Sequence, residues 1–428
     1  MTFTGNKITR VFTITQEAGE TVVVTVPDEN DVVYDPSDDD YVGNTSFGGI
    51  IHVNYSASSA SVSGSVSGVS ASLSGADVTV TSTASTPVIY YLTGTTSAGS
   101  FKIYSNAKFE VMLGGLTMTS TSGPAINSQS KKRCFIVSLS NTTNTLSDAS
   151  AYTTTGTEDA KGCIFSEGQI VFSGGGKLTV KGNAKHAICS DQYVRIMKNS
   201  NIIVPTSVTD GIHANASFRQ DGGTLNITTS SDGIDVDEGG ITINDGTITI
   251  ASSGTASKAI KCPHSLDVNG GTLVLSTSGA GEWDSTEKDV SASSCIKAGG
   301  NITWDSAKAT MTSTGQGGKG MSADSTITIN SGTINISTTG KKYSYRTNNS
   351  NPKGIKADID VIINGGSTSV TASGGEGSEG IESKRYVTIN GGTVAVTSYD
   401  DAINAARTNS ITGSGKLTVN GGNIYAYS

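Results

Sequence analysis

Charge is scarce in this chain. Asp, Glu, Lys and Arg make up 15% of its 428 residues, and aromatic residues 6%. The longest basic run is Lys131-Lys132-Arg133 and the formal net charge is −8, which argues against nucleic acid as a partner, because binding it takes many phosphate contacts. Cations or neutral polymers suit such a surface better. Long apolar runs are missing too: nothing approaches the ~20 consecutive apolar residues of a membrane-spanning helix. Stretches with the 3.6-residue period of an amphipathic helix are essentially absent, which leaves an all-β chain. Residues 1–16 hold no apolar core of a signal peptide. The expectation is an exported protein, extracellular or at the cell surface, whose export signal has been removed, with a cytoplasmic chain as the alternative. Cysteine is sparse as well. Five cysteines cannot all pair, and Cys163, Cys189, Cys262 and Cys295 sit inside a repeated phrase where a small apolar side chain is wanted, so packing is their expected role.

What the chain has instead is repetition. A five-residue phrase appears as Asp210-Gly211-Ile212-His213-Ala214, Asp232-Gly233-Ile234-Asp235-Val236 and Lys353-Gly354-Ile355-Lys356-Ala357, and the same register starts at Pro124, Gly162, His186, Lys258, Ser294, Lys319, Glu379 and Asp401. Consecutive starts lie 24, 24, 22 and 26 residues apart from Gly162 to Lys258. Units this small cannot bury a core alone and must stack into one continuous core, a β-solenoid with three short strands per coil. The third position reads Ile almost throughout and the fifth is small, Val or Cys, the pattern of alternate residues facing inward. Position four is then expected to face solvent. Ser, Thr and Asn fill the other outward positions, and Gly reaches 53, as suits exposed strands and tight turns.

Between the second and third strands a turn keeps one form: Asn244-Asp245-Gly246, Asn269-Gly270-Gly271, Asn330-Ser331-Gly332, Asn364-Gly365-Gly366, Asn390-Gly391-Gly392 and Asn420-Gly421-Gly422. Asn-Gly pairs usually mark two-residue hairpins. Serial hairpins would not explain an apolar phrase every 22–26 residues, whereas stacked coils predict a ladder of side-chain amides. A β-propeller, the main competitor, needs about 40–45 residues per blade. Residues 1–46 lack the repeat; Asp35 to Asp40 reads as a solvated linker, and strands at 11–15 and 21–26 before it are candidates for a cap that protects the open solenoid end. The domains are therefore 1–46 and 47–428.

Stacking also builds columns of ionisable residues. Position one runs His186, Asp210, Asp232, Lys258, Ser294, Lys319, Lys353, Glu379, Asp401, and position four runs Cys189, His213, Asp235, Lys261, Lys297, Ser322, Lys356, Glu382, Asn404. With coils ~4.8 Å apart, Asp210, Asp232 and Asp235 cluster, Asp237 and Glu238 lie just beyond, and lysines follow on the next coil. Oxygen ligands at this density favour Ca²⁺; an Asp–Lys ion ladder is the alternative. His186, His213 and Cys189 flank the cluster in a pattern that also matches a transition-metal site, although hydrogen-bonded ladder residues are the commoner outcome. Three long insertions, 147–161, 276–293 and 338–352, fall at the same corner and should overhang these columns. They carry Tyr152, Trp283, Tyr343, Tyr345 and Arg346, candidate sugar-stacking residues because aromatic faces on loops of a rigid scaffold suit that task. Packing of the loops themselves explains them equally well.

From about Phe47 onward, the run Tyr90-Tyr91-Leu92-Thr93-Gly94, the Gly123-Pro124-Ala125-Ile126 element, the Asn144-Thr145-Leu146-Ser147-Asp148 segment and the chain of Asp-Gly-Ile phrases resemble the bacterial carbohydrate-binding β-helix family related to family 9 pectate lyases. The resemblance implies a right-handed parallel β-helix, exported, that binds plant cell-wall polysaccharide such as pectic acid or cellulose and carries calcium on its coils. In the lyases a lysine removes the C5 proton beside the calcium, and Lys261, with Lys297 next in line, would correspond. The expectation is a non-catalytic, monomeric polysaccharide binder; a calcium-dependent lyase and a surface adhesin or structural solenoid with a protein partner are the alternatives.

Overall fold

The structure is a computed structural model that describes the backbone of residues 11–15 and 21–25, residue 35, and residues 37–153, 158–408 and 413–428. Each repeat closes one coil of a parallel β-helix. First strands of successive coils form a 14-stranded sheet that runs from Val69–Ser74 to Ile403–Ala405. Second and third strands stack in the same way, as in Ile241–Ile243 on Leu266–Val268 and Thr247–Ser252 on Thr272–Thr277. The two latter stacks join at the 11-residue strand Phe109–Thr119, which pairs with both Cys134–Ser138 and Thr143–Ser147.

The register matches the sequence reading. Ile188, Ile212, Ile234 and Ile260 pair in line, and all are buried. Asn364 Nδ2 donates to Asn330 Oδ1 at 2.7 Å, and the same 2.7 Å bond links Asn390 to Asn364 and Asn420 to Asn390. Asn269 and Asn244 form a shorter ladder, and the two runs are separated by the coil that carries Asp305 at this turn. All five cysteines are buried and none is paired.

Strict alternation would put positions two and four on one face, yet position two is buried inside. The chain bends between positions two and three, so both point inward. A Cβ added to Gly211 would lie 2.4 Å from the Ile227 side chain, and one on Gly233 2.4 Å from Ile250. Glycine in the Asp-Gly-Ile phrase is therefore a packing requirement of the corner. The same phase break lets positions one and four share the outer face. That face is less open than alternation predicts: Cys189, Asp235 and Ser322 are buried, and Lys261, Lys297 and Lys356 are half-buried.

The strands Val11–Thr15 and Thr21–Thr25 pair with each other in a two-stranded sheet, and the first coils of the solenoid carry antiparallel pairs, Ile50–Ser56 with Ser59–Ser63 and Val69–Ser74 with Ala76–Ser82. The N-terminal reading needs one correction: the acidic stretch is not a free linker. Buried Arg195 donates to Asp38 Oδ1 and Asp40 Oδ2 at 2.9 Å each, and through Nε to Asp221 Oδ2 at 2.7 Å. Tyr41 and Val42 cover the outward apolar side chains of Phe135, Val171 and Met197. The aspartates thus fasten a strap whose apolar residues shield a patch on the second sheet. No helix among the described residues is long and apolar enough to cross a membrane.

Candidate functional site

The ionisable face of the first sheet divides into an acidic and a basic part. At the acidic end, one oxygen each of Asp210, Asp232 and Asp235 lies within 4.8 Å of the others, and His186 and His213 converge on Asp210 within the same limit. Asp210 Oδ2 is 3.2 Å from Nδ1 of His186 and 3.3 Å from Nδ1 of His213, and the two imidazoles stack at 4.5 Å. Asp210 Oδ1 accepts from Ser231 Oγ at 2.9 Å. Burial alone would raise the Asp210 carboxyl, but these bonds outweigh it and hold it well below the usual carboxylate range. Burial lowers His213, and the facing carboxylates more than reverse this, so its net shift is upward.

Asp232 and Asp235 behave in the opposite way. Asp232 is raised by burial, only partly relieved by the backbone N–H of Lys258, which it accepts at 2.6 Å. Asp235, 6% exposed, is pushed up to about 6 by burial, with the charges of Asp232 and Asp210 adding to it. Its Oδ2 accepts from Lys261 Nζ at 3.0 Å, while its buried Oδ1 has no hydrogen-bond partner. Asp237 stands at the rim, its carboxylate 3.3 Å from Nε2 of His213 and half exposed. The four aspartates singled out in the sequence are thus brought together, with the two histidines as further neighbours. Cys189 is fully buried and is not part of the converging groups.

Lysines dominate the following coils. Lys261 also lies 3.7 Å from Asp232 Oδ2, Lys297 pairs with Asp324, and Lys356 pairs with Asp358 at 2.9 Å. Burial depresses Lys261, but Asp235 and Asp232 overcompensate and keep it charged. Lys353 bridges Glu379 at 2.6 Å and Glu382 at 2.8 Å. Lys319 differs: it contacts no carboxylate among the described residues, and burial, then the charges of Lys356, Lys353, Lys258 and Lys297, push its ammonium down to about 7. The sequence places Lys319 in the position-one column, but nothing in the column alone singles it out.

Two hairpins roof this face, Glu282–Asp284 with Asp289–Ser291 and Tyr343–Tyr345 with Asn348–Ser350. Trp283 stacks on Tyr345 with centroids 5.0 Å apart and planes at 16°, and Arg346 lies 5.3 Å from the Tyr345 centroid. Tyr343 leans over Gly281, where a Cβ would come within 3.1 Å of its ring. These aromatics therefore clasp one hairpin to the other, which leaves only their outer surfaces to a ligand. Tyr152 is elsewhere. Its hydroxyl donates to Asp148 Oδ2 at 2.6 Å beside the coil that begins at Gly162, about five coils, or roughly 24 Å, from the hairpins.

A family model described as carbohydrate-binding domain-containing protein matches residues 74–342, 314–376 and 347–427. The chain belongs to this carbohydrate-binding family. Among solved structures, a polysaccharide lyase-like protein from C. thermocellum, studied as a gadolinium derivative, is similar at 23% identity over 65% of this chain and 96% of that chain, with a TM-score of 0.47. No curated protein matches.

Proposed function

We propose that this family member is an exported binder of plant cell-wall-type polysaccharide, pectic or cellulosic, and that the glycan lies along the roofed ionisable face with calcium at the acidic end. The supporting observation is Asp235: a buried carboxylate with one oxygen unpartnered, beside two further carboxylates. Such an all-oxygen donor set suits Ca²⁺, which takes 6–8 oxygens in flexible geometry. Asp210, Asp232 and Asp235 would hold the ion, with Asp237 at the rim, and the bound ion would supply positive charge to a glycan carboxylate. Lys261 and Lys297 would then line the neighbouring coils as cationic contacts.

Retention on an insoluble cell-wall polysaccharide tests the reading. Trp283→Ala with Tyr345→Ala is expected to reduce retention several-fold and leave thermal stability nearly unchanged, because both residues lie outside the stacked core. Unaltered retention would move the binding face to another side of the helix.

A calcium-dependent lyase is a second reading, favoured by the placement of Lys319, whose Nζ is held only by the Gly317 carbonyl and Ser350 Oγ with no carboxylate contact among the described residues, and whose ammonium is lowered by burial and the surrounding lysines toward the range that suits a general base. Lys261 and Lys297 fit that role less well because carboxylates hold both. Unsaturated-product absorbance from polygalacturonate, lost in Lys319→Met, is the expected result on this reading; no absorbance with the wild type excludes it.

A further inference from the structure

Lys258 and Lys319 occupy similar cradles two coils apart, each built from a carbonyl two residues before the lysine and a hairpin serine. Lys258 Nζ donates to the carbonyl of Ala256 at 2.5 Å and to Ser291 Oγ at 2.8 Å. Lys319 Nζ donates to the carbonyl of Gly317 at 3.2 Å and to Ser350 Oγ at 2.8 Å. In both, the residue two before the lysine adopts a positive φ, 53° at Ala256 and 75° at Gly317, and the serine closes the hairpin that roofs the site. An ammonium has three donors, and two are used. Neither lysine touches a carboxylate among the described residues, although Lys261, Lys297, Lys353 and Lys356 all do. The first sheet stacks Lys258, Ser294 and Lys319 in line. The hydroxyl of Ser293, beside Ser294, is buried and has no hydrogen-bond partner.

We propose that the Lys258–Lys319 pair is a metal-independent site for an anionic group of a polysaccharide, carboxylate or sulfate, beneath the Trp283–Tyr345 clasp. Two like charges about 10 Å apart, neither in contact with a carboxylate among the described residues although Asp232 lies near Lys258, are stabilised by an anion placed between them. Such an anion also favours the charged form of Lys319, which burial and the surrounding lysines otherwise disfavour. This deepens the polysaccharide-binding reading and rests on it. A purely propping role, in which the lysines only tether the hairpins through Ser291 and Ser350, makes a different prediction.

The test is binding to soluble polygalacturonate, dextran sulfate and neutral dextran, measured in chelator at low salt with the full chain. The wild type is expected to bind at least one polyanion, and to lose that binding as salt rises. Lys319→Met should weaken it at least ten-fold and Lys258→Met with Lys319→Met should abolish it. Ser350→Ala, which loosens the tether but keeps the charge, should weaken binding clearly less than Lys319→Met. Binding of polygalacturonate alone assigns the site to carboxylates, and binding of both polyanions to anions at large; either supports the proposal. It is overturned if Lys319→Met binds like wild type, if Ser350→Ala loses binding as fully as Lys319→Met, or if dextran binds equally well. If polygalacturonate binds only when calcium is restored, this proposal fails and the calcium-assisted reading stands. Failure to bind any polymer in either condition overturns both.

Discussion

Ile234→Asp is expected to open the middle of the solenoid. Ile234 is fully buried and stacks directly between Ile212 and Ile260. The variant loses the ~1.5–3 kcal/mol gained by burying the side chain and adds an unpaired carboxylate in a dry interior, a combination that reaches beyond the ~4–5 kcal/mol of exceptional single substitutions. Each coil contacts only its neighbours, so the damage should spread from the coils at 210–262 and not be shared by the whole molecule. Limited proteolysis should cut first within these coils, and the melting temperature should fall sharply. An unchanged melting temperature would mean that position three is not the core column.

The second large effect concerns the acidic cluster. Calcium at 100 times its dissociation constant stabilises a folded protein by about 2.7 kcal/mol if the unfolded chain has no site, so adding calcium to chelator-stripped protein should raise the melting temperature. Asp232→Asn with Asp235→Asn should abolish that rise. Without calcium the same substitutions should act in the opposite direction. Asp235 has a folded-state pKa of about 6 against 3.8 for the free side chain, so its stabilising contribution is fully present below about pH 4 and is lost as pH rises through 6. At pH 7 the cost is up to about 3 kcal/mol, and Asp235→Asn removes it. In chelator the single variant should melt above wild type at pH 7, with the advantage gone near pH 4. Absence of any calcium response would make the cluster an ion ladder between Asp232, Asp235 and Lys261.

The candidate site was legible in the sequence to the extent that it follows from stacking. Asp210, Asp232 and Asp235 converge because position one and position four of adjacent coils must lie a strand spacing apart. Trp283 and Tyr345 were legible as loop residues over the same face, but not as partners, since their contact depends on how two hairpins from insertions about 60 residues apart lean on each other. The strap of Asp38 and Asp40 read as a linker because its local composition is acidic and polar; its partner Arg195 is more than 150 residues away.

Local chemistry repeated at a constant interval was enough to establish the coil, the inward isoleucine column and the asparagine ladder, because each of these depends only on a residue and its equivalent one coil on. The inward turn of position two, by contrast, comes from a bend that packs Gly211 and Gly233 against third-strand isoleucines. The charge state of Lys319 is likewise set in three dimensions. A flexible four-carbon stem takes its partners from whatever surrounds it, and here that is a hairpin serine and four lysines from other coils, an environment that exists only once the coils have stacked and the insertions have folded over them.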